Sequence, residues 1–175
     1  QGKGTFVTGG HPEGCLAMKT PFTEERFGEE VKADKEILSR GVKIPPPDAR
    51  GYLKTEEETY YLLSKRLVNG EPAYLEESFI PVTLVPTIEK VDFSRSSLYS
   101  VLQERGIKKI FKVIQTIEIS TISSHHAGYL KVKKGVPVLV VHRLLLSSDN
   151  APMAYTRFFG RSDRYKFQTE FERIR

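Results

Sequence analysis

Cysteine is almost missing from this chain. The one thiol, Cys15, can neither close an internal disulfide nor complete a thiolate metal cluster, so a disulfide scaffold and a zinc ribbon are both excluded. Long apolar runs are missing too: none approaches the ~20 residues that cross a bilayer. The opening Gln1-Gly2-Lys3-Gly4-Thr5 lacks the apolar core of a secretion signal, and a cytoplasmic location with no membrane partner is expected. No phosphate loop, dinucleotide fingerprint or Gly-x-Ser-x-Gly elbow occurs. A long basic block is also absent. The 27 basic residues are interspersed with 22 acidic ones, so the net charge of +5 describes a mixed solvated surface better than a nucleic-acid footprint.

What is present suits one folded domain: 175 residues, 39% hydrophobic and 28% charged. Gly2 to Val7 reads as a strand end, and Gly9-Gly10-His11-Pro12 as a connector. Val31 to Leu38 is mostly charged. Ile44-Pro45-Pro46-Pro47 imposes an extended stretch before a short helix from Pro47 or Asp48 to Leu53. Thr59 to Val68 and Ala73 to Pro81 flank Asn69-Gly70 as a β-hairpin. Ser96 or Ser97 caps a helix through Leu98, Val101 and Leu102 to Arg105, with Gly106 as its stop. Val113 to Ile119 alternates as a strand. A short helix is expected over His125 to Val132, and Val136 to Val141 leads into a second hairpin through Ser147 to Asn150. A faint repeat aligns Arg66 and Asn69-Gly70-Glu71-Pro72 with Arg143 and Asp149-Asn150-Ala151-Pro152, which implies a duplicated sheet. Strands dominate and helices do not alternate with them, so the fold class is an antiparallel α+β domain.

Chemistry is harder to find. His125 and His126 are adjacent and diverge, while His11 and His142 stand apart; no metal spacing results, and structural roles are expected. Ser123-Ser124-His125 lacks a converging base and an oxyanion loop. What remains is a polar set at segment ends, Arg66, Glu76, Ser97 and Tyr99, suited to holding a polar metabolite without transforming it. No cofactor is expected.

An ordered series of motifs then points to a family. It comprises Gly2-Lys3-Gly4-Thr5-Phe6-Val7, Asn69-Gly70-Glu71-Pro72, Glu76-Glu77-Ser78-Phe79-Ile80-Pro81, Ser97-Leu98-Tyr99, Gln115-Thr116-Ile117-Glu118, Gly135-Val136-Pro137-Val138-Leu139 and Arg161-Ser162-Asp163-Arg164-Tyr165. In this order they resemble the GntR family of bacterial repressors, HutC subgroup, and its C-terminal UTRA effector domain. The resemblance implies a chorismate lyase-like fold that senses a ligand rather than catalyses. It implies that residues 1–8 are a remnant of a winged helix-turn-helix, with Gly2, Lys3 and Gly4 from the wing, that 9–14 form a linker, and that 15–175 form an effector-binding and dimerisation domain. It also implies a homodimer acting on operator DNA through a separate module, with Val138 to Val141 or Tyr60 to Leu63 as candidate dimer contacts. The effector would be a sugar phosphate, an amino sugar or a small carboxylate, held by Phe22, Thr23, Ser64, Arg66, Glu76, Ser97, Tyr99, Thr156 and Tyr165. A lyase-like enzyme and a dimerisation module with a degenerate pocket are the alternatives.

Two details bear on that site. Family members often carry two arginines two residues apart on the first hairpin strand, and Ser64 stands where the first would be, which weakens the case for a phosphate. The hairpin loop also matters. A two-residue Asn69-Gly70 turn pairing Val68 with Glu71 would put Arg66 and Glu76 on opposite faces. A three-residue Val68-Asn69-Gly70 loop pairing Leu67 with Glu71 would bring Arg66, Tyr74 and Glu76 together, and that loop is expected.

Overall fold

The computed structural model describes residues 33–163. Six strands form one antiparallel sheet: β1 (Ala33–Lys43), β2 (Thr59–Val68), β3 (Glu71–Pro81), β4 (Lys112–Thr121), β5 (Pro137–Leu146) and β6 (Pro152–Arg161), in the order β1-β2-β3-β6-β5-β4. Three short helices join them: α1 (Pro47–Leu53), α2 (Leu98–Arg105) and α3 (Ser124–Tyr129). This is the α+β class expected from the strand-rich pattern, and it consists of two similar halves. Each half is a strand, a short helix and a hairpin: β1-α1-β2-β3 and β4-α3-β5-β6. The halves meet where β3 pairs β6, from Tyr74 opposite Gly160 to Phe79 opposite Tyr155.

Local chemistry accounts for the helices. Pro47 opens α1, where its missing N–H is not needed, and Lys54 in the left-handed region closes it. Ser97 caps α2, its Oγ accepting from the Ser100 N–H at 3.0 Å. Gly106 ends α2 for a different reason from the usual left-handed cap. Its φ is −66°, but a Cβ there would lie 2.4 Å from the Leu102 carbonyl oxygen, so only glycine fits. Ser123 caps α3 by accepting from the His126 N–H, and α3 stops at Tyr129, short of the expected Val132.

The charged stretch at Val31 to Leu38, which shows no strand pattern in the sequence, supplies most of the first half of β1. Asp34, Lys35, Glu36, Arg40 and Lys43 suit an edge strand, and a bulge between Ile37 and Ser39 interrupts its pairing with β2.

Both faces of the sheet are covered, so β2 is buried at every residue from Thr59 to Ser64 and its alternation is masked. One face packs Tyr60, Leu62, Ile80, Leu145 and Met153 against Phe93 and the Leu98, Val101 and Leu102 side of α2. The other packs Tyr61, Leu63, Leu75, Phe79 and Tyr155 against Ala49 and Leu53 of α1 and Ala127 of α3.

Candidate functional site

The hairpin geometry decides whether the polar residues can meet. The turn is Asn69-Gly70, both left-handed at φ 53° and 78°, with Val68 opposite Glu71. The expected three-residue loop is therefore wrong: Asn and Gly both tolerate positive φ, and a two-residue turn of this kind matches the twist of the strands. The faces nevertheless do not separate. Leu67 pairs with Pro72 and Arg66 with Tyr74, which leaves Ala73 as an extra residue on β3. Pro72 has no N–H for the ladder, so a bulge next to it costs little pairing. The extra residue restores the alternation and places Ser64 opposite Glu76, beside Arg66 and Tyr74 on one face. The second hairpin repeats the device: Leu145 pairs with Ala154 and Leu146 with Pro152, skipping Met153.

Register then extends this face across the sheet. Lys35, Arg66 and Tyr74 form one row; Ser64, Glu76 and Phe158 a second; Ser78, Thr156, Arg143 and Gln115 a third. Arg143 Nε donates to Gln115 Oε1 at 2.8 Å, and its guanidinium lies 4.5 Å from the centre of the Phe158 ring. Ser78 Oγ lies 3.5 Å from Glu76 Oε1. Thr156 Oγ1 is buried without a hydrogen-bond partner, a polar atom turned into the site.

Electrostatics ties the rows together. Burial pushes the Tyr74 hydroxyl up to about 12, helped by the Glu76 charge and opposed by the charge and hydrogen bond of Arg66, so Tyr74 stays a neutral donor. Burial also lowers the Arg143 guanidinium, against the raising influence of Glu76 and Tyr74. Arg66, Arg143, Tyr74 and Glu76 thus act on one another, and Lys35 stands beside Arg66 in the same row. Guanidinium, ammonium and hydroxyl donors on one face are the groups that can hold negative charge and hydroxyls.

Of the residues expected from sequence, Ser64, Arg66, Glu76 and Thr156 come together. Ser97 is half realised. Its hydroxyl is engaged with Ser100 as a cap, and the neighbouring Ser96 carbonyl accepts from Lys35 Nζ at 3.4 Å, which ties the start of α2 to the Arg66 end of the face. Tyr99 packs, partly buried, against the α2-side core. Phe22, Thr23 and Tyr165, and Gly2, Lys3 and Gly4 of the wing, lie outside the described residues. Sequence reasoning missed Lys35, Ser78, Gln115 and Arg143. The repeat sets Arg143 against Arg66, two residues from the structural match: the bulges place Leu145 against Arg66, and Arg143 against Ser64.

The opposite face carries a second polar cluster with a different character. Buried Glu77 accepts from Tyr61 Oη at 2.8 Å and from Arg157 Nε, and lies 3.4 Å from His126 Nε2 of α3; Arg157 also bonds Asp48 of α1. Burial alone would raise the Glu77 carboxyl. The hydrogen bond from His126, the charge and hydrogen bond of Arg157 and the Tyr61 hydroxyl outweigh it and hold the group at about 2. Every oxygen is satisfied, and the cluster staples both helices to the sheet. Among the described residues no three His, Cys, Asp or Glu side chains gather as a metal site requires. Ser123 is a helix cap, not a nucleophile.

The UTRA domain family model matches residues 29–166. The Escherichia coli K12 protein named "Probable fructoselysine utilization operon transcriptional repressor" is 28% identical over 167 residues, covering 94% of this chain and 68% of that protein. The HTH-type transcriptional repressor NagR of Bacillus subtilis 168 is 24% identical over 176 residues, covering 99% of this chain and 72% of that protein. Among solved structures, the C-terminal domain of the histidine utilization repressor from Pseudomonas syringae pv. tomato superposes with a TM-score of 0.75 at 16% identity, covering 81% of this chain and 100% of that one. Transcriptional repressors and their effector domains recur among these relatives. The chain belongs to the UTRA domain family and is an effector-binding domain of a GntR-type transcription regulator of the HutC subgroup, not an enzyme.

Proposed function

We propose that the face bearing Arg66, Glu76, Arg143 and Thr156 binds a small anionic polyol of the sugar phosphate or amino-sugar class, and that its occupancy sets the affinity of the regulator for operator DNA. The observation that carries this reading is the excess of cations, Lys35, Arg66 and Arg143 against Glu76, on a face that also offers the Tyr74 hydroxyl and the unpartnered Thr156 oxygen. Ser64 removes one guanidinium from β2. Arg143 brings one in from β5, so the argument against a phosphate loses its force. A relative named for fructoselysine utilization supports a sugar-derived ligand. Operator binding belongs to a separate module, with residues 1–8 as its wing and 9–14 as the linker, in a cytoplasmic homodimer whose two modules are spaced by the effector domains. The ligand must prefer one spacing, since equal affinity for both would shift nothing.

A thermal-shift screen of sugar phosphates, amino sugars and small carboxylates tests this. A ligand at a hundred times its Kd adds about 2.7 kcal/mol, a rise in melting temperature of several degrees. At least one compound is expected to produce it, and Arg66→Ala to abolish it. No shift across the library would favour a dimerisation module with a degenerate pocket.

A further inference from the structure

The outer edge of β4 fits no role given so far. β4 ends the sheet among the described residues and pairs with β5 without a register shift from Lys112 opposite Leu146 to Thr121 opposite Pro137. The other edge strand, β1, is charged and bulged, as edges usually are. β4 pairs regularly over ten residues, and Ile114 and Ile119 within it and Phe111 just before it are 44%, 78% and 67% exposed. An open edge of this kind is a pairing surface.

Its sequence says with what. The Ile122 N–H donates to the Val136 carbonyl at 3.0 Å, in register with the ladder. Bonded pairs alternate, so Lys112, Ile114, Thr116 and Glu118 turn their backbone groups to β5, while Val113, Gln115, Ile117 and Ile119 present theirs outward. An antiparallel pairing of β4 with β4 of a second copy must therefore match outward residues with outward residues. Centred on Gln115, it sets Lys112 opposite Glu118, Val113 opposite Ile117 and Ile114 opposite Thr116, each twice. Centred on Thr116, it leaves Glu118 facing Ile114. Centred on Ile117, it leaves Lys112 facing Ile122. Only the first register sets the two charged residues of β4 opposite each other, with Val113 against Ile117 beside them.

We infer that a second copy of this chain pairs along β4 in a two-fold antiparallel seam centred on Gln115, making one continuous sheet across the dimer. The candidate contacts read from sequence are displaced: Tyr60 to Leu63 lies within β2, and Val138, Val140 and Val141 within β5, all buried in the interior of a single copy. The seam also adjoins the effector face, because Gln115 holds Arg143. This inference rests on the homodimer reading above and names its contact.

Light scattering on the whole chain, with disulfide capture in a Cys15→Ser background, tests the two separately. A dimer mass is expected. Gln115→Cys should give a covalent dimer under mild oxidation, since opposed residues of a bonded pair have Cα atoms about 5.5 Å apart, within disulfide reach. Ile119→Cys, four residues from the two-fold axis, should not. Lys112→Glu or Glu118→Lys alone should weaken the dimer at least about tenfold, and the two together should restore it. Both positions are at the surface, so this arm survives any failure of the cysteine variants to fold. A monomer mass overturns the homodimer and the seam together. A dimer that captures at Ile119→Cys, fails to capture at Gln115→Cys or ignores both charge reversals overturns the seam and leaves the homodimer standing.

Discussion

Replacing Arg157 with alanine is expected to lower the free energy of unfolding by about 3–5 kcal/mol, the cost of leaving a buried carboxylate without its ion-pair partner. The Glu77 side chain is 6% exposed and that of Arg157 20%, so solvent screens little of the loss. Two helices are affected at once, because Arg157 reaches Asp48 of α1 while Glu77 faces His126 of α3. The double variant Glu77→Gln with Arg157→Met removes the charges in concert and should recover most of the loss, which identifies the penalty as the orphaned charge. The pH dependence has a definite sign. Glu77 sits at about 2 in the folded chain against an ordinary 4.5, so it contributes stability above pH 4.5 that is lost as the pH falls from 4.5 toward 2. The contribution is on the order of 3 kcal/mol. Urea denaturation of the parent and of Glu77→Gln at pH 6 and pH 3 measures it: the parent should lose more stability than the variant. Equal losses would show that the cluster does not couple folding to protons.

Replacing Arg143 with alanine is expected to weaken binding of the strongest hit from the metabolite screen by about 10- to 100-fold. A charge-assisted hydrogen bond contributes about 1.5–3 kcal/mol, and each 1.4 kcal/mol is tenfold in Kd. Arg143→Lys should fall between the two. It keeps a charge but loses the planar fork that now bonds Gln115 while facing the site. Titration calorimetry distinguishes the three proteins, and unchanged affinity in Arg143→Ala would move the ligand away from β5. Arg66 belongs to one half of the sheet and Arg143 to the other. Loss at both positions requires a ligand that bridges the halves.

Local signals made several elements legible from sequence: Pro47 opening α1, Ser97 and Gly106 bounding α2, and Asn69-Gly70 at a hairpin. The failures have a common physical origin. β1 carries no apolar period because an edge strand is selected for charge, and its neighbour β2 is buried on both faces. The turn was misjudged because the parity of Arg66 and Glu76 was assigned to the loop, whereas a bulge at Ala73 sets it. Turn residues announce themselves; a bulge does so only through the proline beside it. Of the site, Glu76 could be named because a family motif contains it, and Ser64, Arg66 and Thr156 because the resemblance implies them. Lys35 lies in no motif, and Gln115, although it opens one, becomes a neighbour of the others only through strand order. The Glu77–Arg157 pair, 80 residues apart, is invisible to any local pattern.

The pairing of β3 with β6 has a kinetic consequence. Each hairpin closes across a short turn, but β3 and β6 bring together residues as distant as Tyr74 and Gly160, and that long loop makes this the slow, late contact of the chain. Arg66 and Glu76 arrive on one side of that junction, Arg143 and Thr156 on the other. A ligand that needs both sides meets its site only after the barrier is crossed. It therefore slows unfolding in proportion to its affinity and leaves the refolding rate untouched, so that the regulator's lifetime, rather than its speed of assembly, follows the supply of effector.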